Sequence, residues 1–171
     1  MSDGDYLIYA DCGDMFSPGL VNYLEQTLDD NDISLLLLGN NKNGQYTKRD
    51  CFIKMDCDES DYHDVNQLEA GFMVWKYCDE SIRVLKDWLE FCLDLDVVNN
   101  EPSTLGEDLP GFVGHFNDQS ILTNLAVRDG LTVGGQDYRH FIECNYDYWY
   151  ERGCPGYGRE IDKFLVEIKN A

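Results

Sequence analysis

The sequence predicts an α/β fold with a mostly parallel sheet flanked by helices. Residues 5–10, 33–39 and 68–76 form short apolar runs with little alternation, a pattern typical of strands that are covered on both faces. Helical patterns lie between and after these runs, and strands that alternate with helices are typical of the α/β class. The chain has 171 residues and contains no repeat or linker, so we expect a single domain over residues 1–171.

Turn and cap residues position the first predicted elements. After the first strand, Ser17 and Pro18 suit the start of a helix over residues 17–30. Between the second and third strands, residues 40–65 are rich in Asn and Asp. They predict a polar loop with one weak element at 50–56.

Three more helices are predicted from apolar residues at helical spacing. The longest covers residues 80–95, a second covers 118–130 and ends at Gly130, and a third has its apolar stripe within 159–169. The residues of the second of these helices that should face the core are Ile121, Leu122, Leu125 and Ala126.

The chain is strongly acidic, with 33 Asp and Glu against 13 Lys and Arg and a formal net charge of −20. Such a surface repels phosphate backbones and anionic membranes, so we expect no nucleic-acid partner. The sequence shows no signal peptide and no apolar run of membrane-spanning length, so we expect no membrane segment and a cytoplasmic location. Seven cysteines without a C-x-x-C pair favour free thiols in a reducing compartment.

Asp11 lies where the first apolar strand ends, and Gly13 and Asp14 follow it. At the carboxyl end of a strand in an α/β sheet, a carboxylate faces the ligand crevice and could hold Mg²⁺ or Mn²⁺. The same residues also suit an ordinary turn, and the local sequence alone favours the turn.

Three further segments contain candidate ligand groups. In HFNDQS, His115 and Asp118 lie at the start of a predicted helix, where a sugar hydroxyl or a phosphate could bind; a simple helix cap is the alternative. Glu69 lies within the third strand in front of Gly71, either on a solvated face or directed into a site, and a glycine there indicates close backbone approach. Lys48 in YTKRD is either a solvated cation or a contact for an anionic donor.

Taken in order, several segments resemble a family of glycosyltransferases with the GT-A fold. They are GDYLIYADCG, YTKRDCF, QLEAGFMVWK, WLEFCLDLDVV and GFVGHFNDQSILTNLAVRDGL, and they cover roughly residues 4–135. The resemblance implies a partial GT-A-like, Rossmann-like sheet. It also implies a nucleotide-sugar donor, a carbohydrate or glycan acceptor, and a divalent metal, Mn²⁺ or Mg²⁺.

Carried over by position, the resemblance implies a role for each matching residue. Asp11 would bind the metal. Asp118 and Glu69 would be the catalytic carboxylates, with Asp118 beside the donor sugar and Glu69 on the acceptor side. The implied substrate-binding residues are Lys48, Gly71, His115 and Gln119.

The sequence departs from this family at several points. Gly13 replaces the second acid of an Asp-x-Asp motif, and Phe116 stands where the family often has Arg. The nucleotide-binding units that precede the metal-motif strand in GT-A enzymes have no counterpart here, which implies a C-terminal portion of a longer glycosyltransferase. Such a portion would bind nucleotide sugars weakly and self-associate through an open sheet edge. A non-catalytic remnant, or a sugar- or metal-binding module of the same fold, is the alternative function.

Overall fold

A three-stranded antiparallel sheet forms the centre of the described part of the chain. The structure is a computed structural model that describes residues 5–11, 15–16, 20, 32–131 and 142–143. Two short strands pair with each other apart from this sheet. The strands are β1 (Tyr6–Ala10), β2 (Met15–Phe16), β3 (Ile33–Lys42), β4 (Asn66–Lys76) and β5 (Ile142–Glu143). The helices are α1 (Asn43–Tyr46), α2 (Arg49–Lys54), α3 (Ser60–His63), α4 (Asp79–Cys92), α5 (Leu95–Val98) and α6 (Asn117–Asp129).

The prediction of a mostly parallel, Rossmann-like and partial GT-A-like sheet is wrong. The sheet order is β1-β4-β3, and the central strand β4 runs antiparallel to both neighbours, which makes the fold α+β. A continuous apolar run predicts burial on both faces and does not give the strand direction. The predicted burial is wrong for β1, in which residues 6–9 are 36–45% exposed. In β4, residues 72–75 are each at most 2% exposed, and because successive side chains point to opposite faces, both faces of this strand are covered.

The positions of the main elements agree better with prediction than the direction of the strands does. The predicted strands at 5–10, 33–39 and 68–76 correspond to β1, β3 and β4, and the predicted helices at 80–95 and 118–130 correspond to α4 and α6. The loop predicted between β3 and β4 instead contains α1, α2 and α3. The two other predicted helices lie outside the described residues, apart from Leu20.

Helices α4 and α6 pack against one face of the sheet. Their apolar side chains share a core cluster with β3 and β4, as predicted for α6. The helix ends at Gly130 with φ 63°, in the left-handed conformation that the sequence predicted for this position. The most deeply buried side chains of the cluster are Leu35, Leu68, Met73, Trp75, Val84 and Leu122. None of the helices in the described ranges is long and apolar enough to cross a membrane.

A buried hydrogen-bond network joins α1, β4 and α6. Gln67 Nε2 donates to Asn43 Oδ1 at 2.8 Å and to Thr47 Oγ1 at 3.1 Å. Asn43 Nδ2 donates to Asn124 Oδ1 at 2.8 Å, and Gln119 Nε2 donates to Gln67 Oε1 at 3.1 Å. Asn43, Thr47, Gln67 and Asn124 are at most 1% exposed, so their partners are protein groups rather than bulk water.

The segment between α5 and α6 is fastened to α2 by the buried carboxylate of Asp50. This group accepts hydrogen bonds from the backbone N and the hydroxyl of Thr104 and from the backbone N of Leu105, at 2.8–3.1 Å. Burial by itself would raise the pKa of Asp50, but these hydrogen bonds outweigh it and hold the pKa below its ordinary value. The loop is therefore anchored before it leads into α6.

Replacing Gln67 with Leu should lower the free energy of unfolding by about 3 kcal/mol, because the change leaves buried groups of Asn43 and Gln119 short of partners. Denaturation with urea measures the effect. The control Lys86→Ala, at an exposed position of α4, should change stability by no more than about 0.5 kcal/mol. A loss below about 1 kcal/mol for Gln67→Leu would show that the network does not hold α1 and α6 to β4.

Candidate functional site

A cleft of about 340 Å³ opens where β1 ends beside β4 and α6 begins. It contains four of the residues that the sequence singled out, from three separate elements. Its lining includes Tyr9, Asp11, Gly71, Phe116, Asp118 and Gln119.

Asp11 lies directly against Gly71. The backbone N of Asp11 donates to Gly71 O at 2.8 Å, which extends the β1–β4 pairing by one residue. A Cβ atom on residue 71 would lie 3.0 Å from Asp11 Oδ2 and 4.0 Å from Glu69 Oε1. The carboxylates of Asp11 and Glu69 therefore face the same point, and a glycine leaves room for them there.

A bulge deforms β4 at this point. Leu35 of β3 pairs with Met73, but the next residue of β3, Leu36, pairs with Glu69. Residues 70–72 are therefore extra on the β4 side of the ladder, and Gly71 is the middle one. Bulges are common beside functional sites because they redirect side chains.

The first turn of α6 forms the opposite wall of the cleft. Asn117 has φ 49°, in the left-handed region that Asn tolerates better than most residues, and its Nδ2 donates to Val98 O. Asp118 is exposed and its Oδ1 accepts from the backbone N of Gln119 at 2.9 Å. Gln119 Oε1 accepts from Ala70 N at 3.3 Å. The amide of Gln119 therefore holds α6 to β4, which leaves Asp118 as the polar side chain of this turn most available to a ligand.

Two aromatic side chains in the cleft were missed by sequence reasoning as site residues. The hydroxyl of Tyr9 donates to Asp11 Oδ1 at 3.1 Å. The ring of Phe116 stacks on Tyr46 with centroids 4.4 Å apart and planes 21° apart, and Phe116 N donates to Tyr46 O at 2.9 Å. The sequence did contain a signal for Tyr9. It precedes Asp11 by two residues, which places both side chains on one side of a strand.

The structure does not bring Lys48 and His115 into this cleft. They line a different cavity, of about 330 Å³. Lys48 is 2% exposed, and its Nζ donates to Asn99 Oδ1 at 2.8 Å and to Glu101 O at 3.0 Å. His115 Nδ1 accepts from Lys48 N at 3.3 Å, so Nε2 carries the proton and donates to Val97 O at 2.8 Å. Burial lowers the pKa of His115 to about 4, so the ring is neutral at pH 7.

The donor atoms of the cleft fit a hard divalent cation in type but not in number. Carboxylate oxygens such as those of Asp11 and Asp118, which both line the cleft, are the ligands that Mg²⁺ and Mn²⁺ prefer. Within the described part of the chain, no three His, Cys, Asp or Glu side chains are grouped closely enough to hold a metal ion. A cation bound here would need further ligands from a substrate or from water.

The chain matches no protein-family model, no curated protein and no solved structure. A function for the protein must therefore be inferred from the geometry and charge of its own cavities.

The neutral, buried His115 should make the protein less stable in mild acid. An ordinary histidine binds a proton near pH 6.5, whereas His115 stays neutral until pH falls to about 4. The unfolded chain therefore gains a proton first, and the free energy of unfolding should fall by up to about 3 kcal/mol as pH drops from 6.5 toward 4.

Urea denaturation across this pH range, for the wild type and His115→Gln, isolates the contribution of His115. Gln keeps a donor that can reach Val97 but does not titrate, so the variant should show a shallower decline between pH 6.5 and 4 than the wild type. Parallel curves for the two proteins would contradict the neutral, buried histidine.

Proposed function

We propose that the protein is a glycosyltransferase, which transfers a sugar from a nucleotide-sugar donor to a hydroxyl of a carbohydrate or glycan acceptor. The observation that carries the proposal is that Asp11 and Asp118 line one cleft beside Gly71, with Glu69 Oε1 4.0 Å from the Cβ position of residue 71. The resemblance of the sequence segments supports it as well. The proposal does not depend on the GT-A fold, which the antiparallel sheet contradicts.

The lining of the cleft suits a sugar ring. Ionised carboxylates only accept hydrogen bonds, and sugar hydroxyls can donate them. Phe116 is fixed by its stacking on Tyr46 and gives the cleft an apolar wall against which the C–H face of a ring could pack. A few placed polar groups beside an aromatic wall are typical of small-molecule sites.

The charge of the cleft sets a condition on the donor. None of the residues that line it is Lys or Arg, so the carboxylates would repel a bare diphosphate. Asp11 would hold a divalent cation, which would neutralise charge on the leaving diphosphate. The proposal therefore includes Mn²⁺ or Mg²⁺ as cofactor.

The protein's own carboxylates have separate tasks in this proposal. Glu69 would accept the proton of the acceptor hydroxyl. The hydroxyl oxygen would form a bond to the sugar carbon while the bond from that carbon to the diphosphate breaks. Asp118, at the exposed start of α6, would hold hydroxyls of the donor sugar.

A sugar- or metal-binding module without catalysis is the second candidate. Two observations favour it, because both give side chains of the cleft a structural role. Gln119 is hydrogen-bonded to Ala70 N and Gln67, and Asp118 Oδ1 accepts a hydrogen bond within its own helix turn. Binding of sugars or Mn²⁺ by the wild type, with no turnover of any nucleotide sugar, would favour this module over an enzyme.

We also propose a cytoplasmic setting for the protein. It is supported by the free thiols of Cys51, Cys57, Cys78 and Cys92. Burial raises the pKa of Cys57 to about 12 and that of Cys92 to about 11, so these thiols resist oxidation. Self-association through the sheet edge at β1 stays a prediction, which sedimentation at rising concentration would measure.

Replacing Asp11 with Asn should lower the turnover of nucleotide sugars about 100-fold, because the amide is a poor ligand for a hard cation. A screen of donors for transfer or hydrolysis, with and without Mn²⁺, measures the effect. The thermal midpoint should stay within a few degrees of the wild type, since Asp11 is exposed. Full activity in the variant, or collapse of the fold, would make Asp11 a structural residue.

Replacing Gly71 with Ala should lower the same turnover about tenfold without unfolding the protein. The new methyl group would lie 3.0 Å from Asp11 Oδ2, so the carboxylate must move. Lys86→Ala, on the exposed face of α4, serves as control. Activity of Gly71→Ala equal to that of the control would show that the position of the Asp11 carboxylate does not matter for turnover.

A further inference from the structure

We infer that the cavity beside Lys48 is a second binding site, which takes a neutral sugar residue. This cavity of about 330 Å³ is separate from the cleft of Asp11, and its size falls in the range of small-ligand pockets. The inference depends on an unused donor, on the charges around it and on an apolar wall. The residues that carry it are Lys48, Glu101, Asp108, Phe112 and Gly114.

Lys48 provides an unused hydrogen-bond donor. The residue is 2% exposed, and its ammonium group makes two hydrogen bonds, to Asn99 Oδ1 and Glu101 O, with three protons available. No carboxylate in the described ranges lies within salt-bridge distance of Nζ. The ammonium group can therefore donate a third hydrogen bond to an oxygen atom of a ligand in the cavity.

The other charges of the cavity argue against an anion as this ligand. Glu101 and Asp108 both contribute to the lining, and Asp108 Oδ1 already accepts from Arg49 N at 2.8 Å and from Ser103 Oγ at 2.6 Å. Two carboxylates beside one ammonium oppose a bare phosphate or carboxylate. They favour a neutral molecule whose groups can donate to the acids and accept from Lys48.

Hydroxyl groups meet both requirements, because each can donate and accept a hydrogen bond. Phe112 and Pro102 add apolar surface to the lining, against which the C–H groups of a ring could pack. His115 is neutral, and both of its ring nitrogens are used within the protein, so it adds no charge to the cavity. A sugar residue is the common ligand class that combines several hydroxyls with an apolar ring face.

One stretch of chain separates the two sites. Val113 N donates to Gln45 O at 2.8 Å and Phe116 N donates to Tyr46 O at 2.9 Å, so residues 113–116 are fastened to α1. His115 lines the Lys48 cavity, and its neighbour Phe116 lines the cleft. A glycan acceptor could therefore place one residue in each site. This acceptor role rests on the proposed function, but sugar binding by the cavity does not.

Two substitutions test the cavity in different ways. A Cβ on Gly114 would meet no atom within 4 Å, and Gly114 is outside the left-handed region, so Gly114→Leu adds a large side chain to the cavity wall without backbone strain. Lys48→Met removes the ammonium group and keeps the length of the side chain. Lys86→Met makes the same change at an exposed position of α4 and serves as matched control.

The experiment is an NMR titration of the nitrogen-labelled chain, without nucleotide or metal. The probes are glucose, galactose, mannose and lactose, with inorganic phosphate as a separate arm. At least one sugar should shift the backbone signals of Gly114 and Asn100 in a saturable way. The affinity should fall about tenfold in Lys48→Met, vanish in Gly114→Leu and stay unchanged in Lys86→Met.

The inference is overturned if none of these sugars shifts the Gly114 and Asn100 signals, or if phosphate shifts them and the sugars do not. It is also overturned if Gly114→Leu, shown to be folded by its spectrum, binds as the wild type does. If Lys48→Met fails to fold, Gly114→Leu decides. NMR signals that move only at Gly71 and Asp118 would reject this site and keep the proposed function. Absence of turnover in the donor screen would reject sugar transfer without bearing on this cavity.

Discussion

The side-chain amides of Asn43 and Gln67 are fully buried away from water. The observed arrangement of α1, β4 and α6 provides hydrogen-bond partners for both amides. Asn43 Oδ1 accepts from Gln67 and from Thr47, while Asn43 Nδ2 donates to Tyr62 O and to Asn124 Oδ1. A shift of any of these elements by a residue would break several such bonds in a place that water cannot reach, at about 1–3 kcal/mol for each group left unpaired. Apolar packing alone would tolerate more positions for α6 than this network does.

The same network fixes the walls of the cleft. Gln119 donates to Gln67 with one end of its amide and accepts from Ala70 N with the other. The residue before Gln119 is Asp118, and the residue after Ala70 is Gly71, against which Asp11 lies. A single amide group therefore sets the distance between the start of α6 and the bulge of β4. Carboxylates held in this way by rigid elements are already positioned before a ligand arrives, as binding and catalysis both require.

What the sequence could predict follows from what each pattern depends on. The apolar face of α6 and its end at Gly130 depend on local spacing and conformation, and both were predicted correctly. The glycine at position 71 indicated a close backbone approach, and the group that the structure places against it is the side-chain carboxylate of Asp11. Strand direction depends on connections between distant segments, which an apolar run does not record. Contacts between distant segments determine the burial of Lys48 and His115 and the short helices α1 to α3. One such contact joins Asp50 to the 104–105 backbone, more than fifty residues away. Local polarity instead suggested an exposed loop.

The use of the few cations explains why the cleft of Asp11 offers no positively charged side chain to a ligand. Arg83 and Arg128 are bonded to Asp87 and Asp129, which links α4 to the end of α6, and Lys54 is paired with Asp94 and Asp96. In a chain of net charge −20, these cations hold helices together and none of them lines the cleft. A phosphate group therefore has no cation of the cleft lining to bind and requires a metal ion, whereas a sugar hydroxyl can bind the carboxylates directly. In the proposed reaction, the protein would recognise the sugar, and the cation that Asp11 would hold would recognise the phosphates.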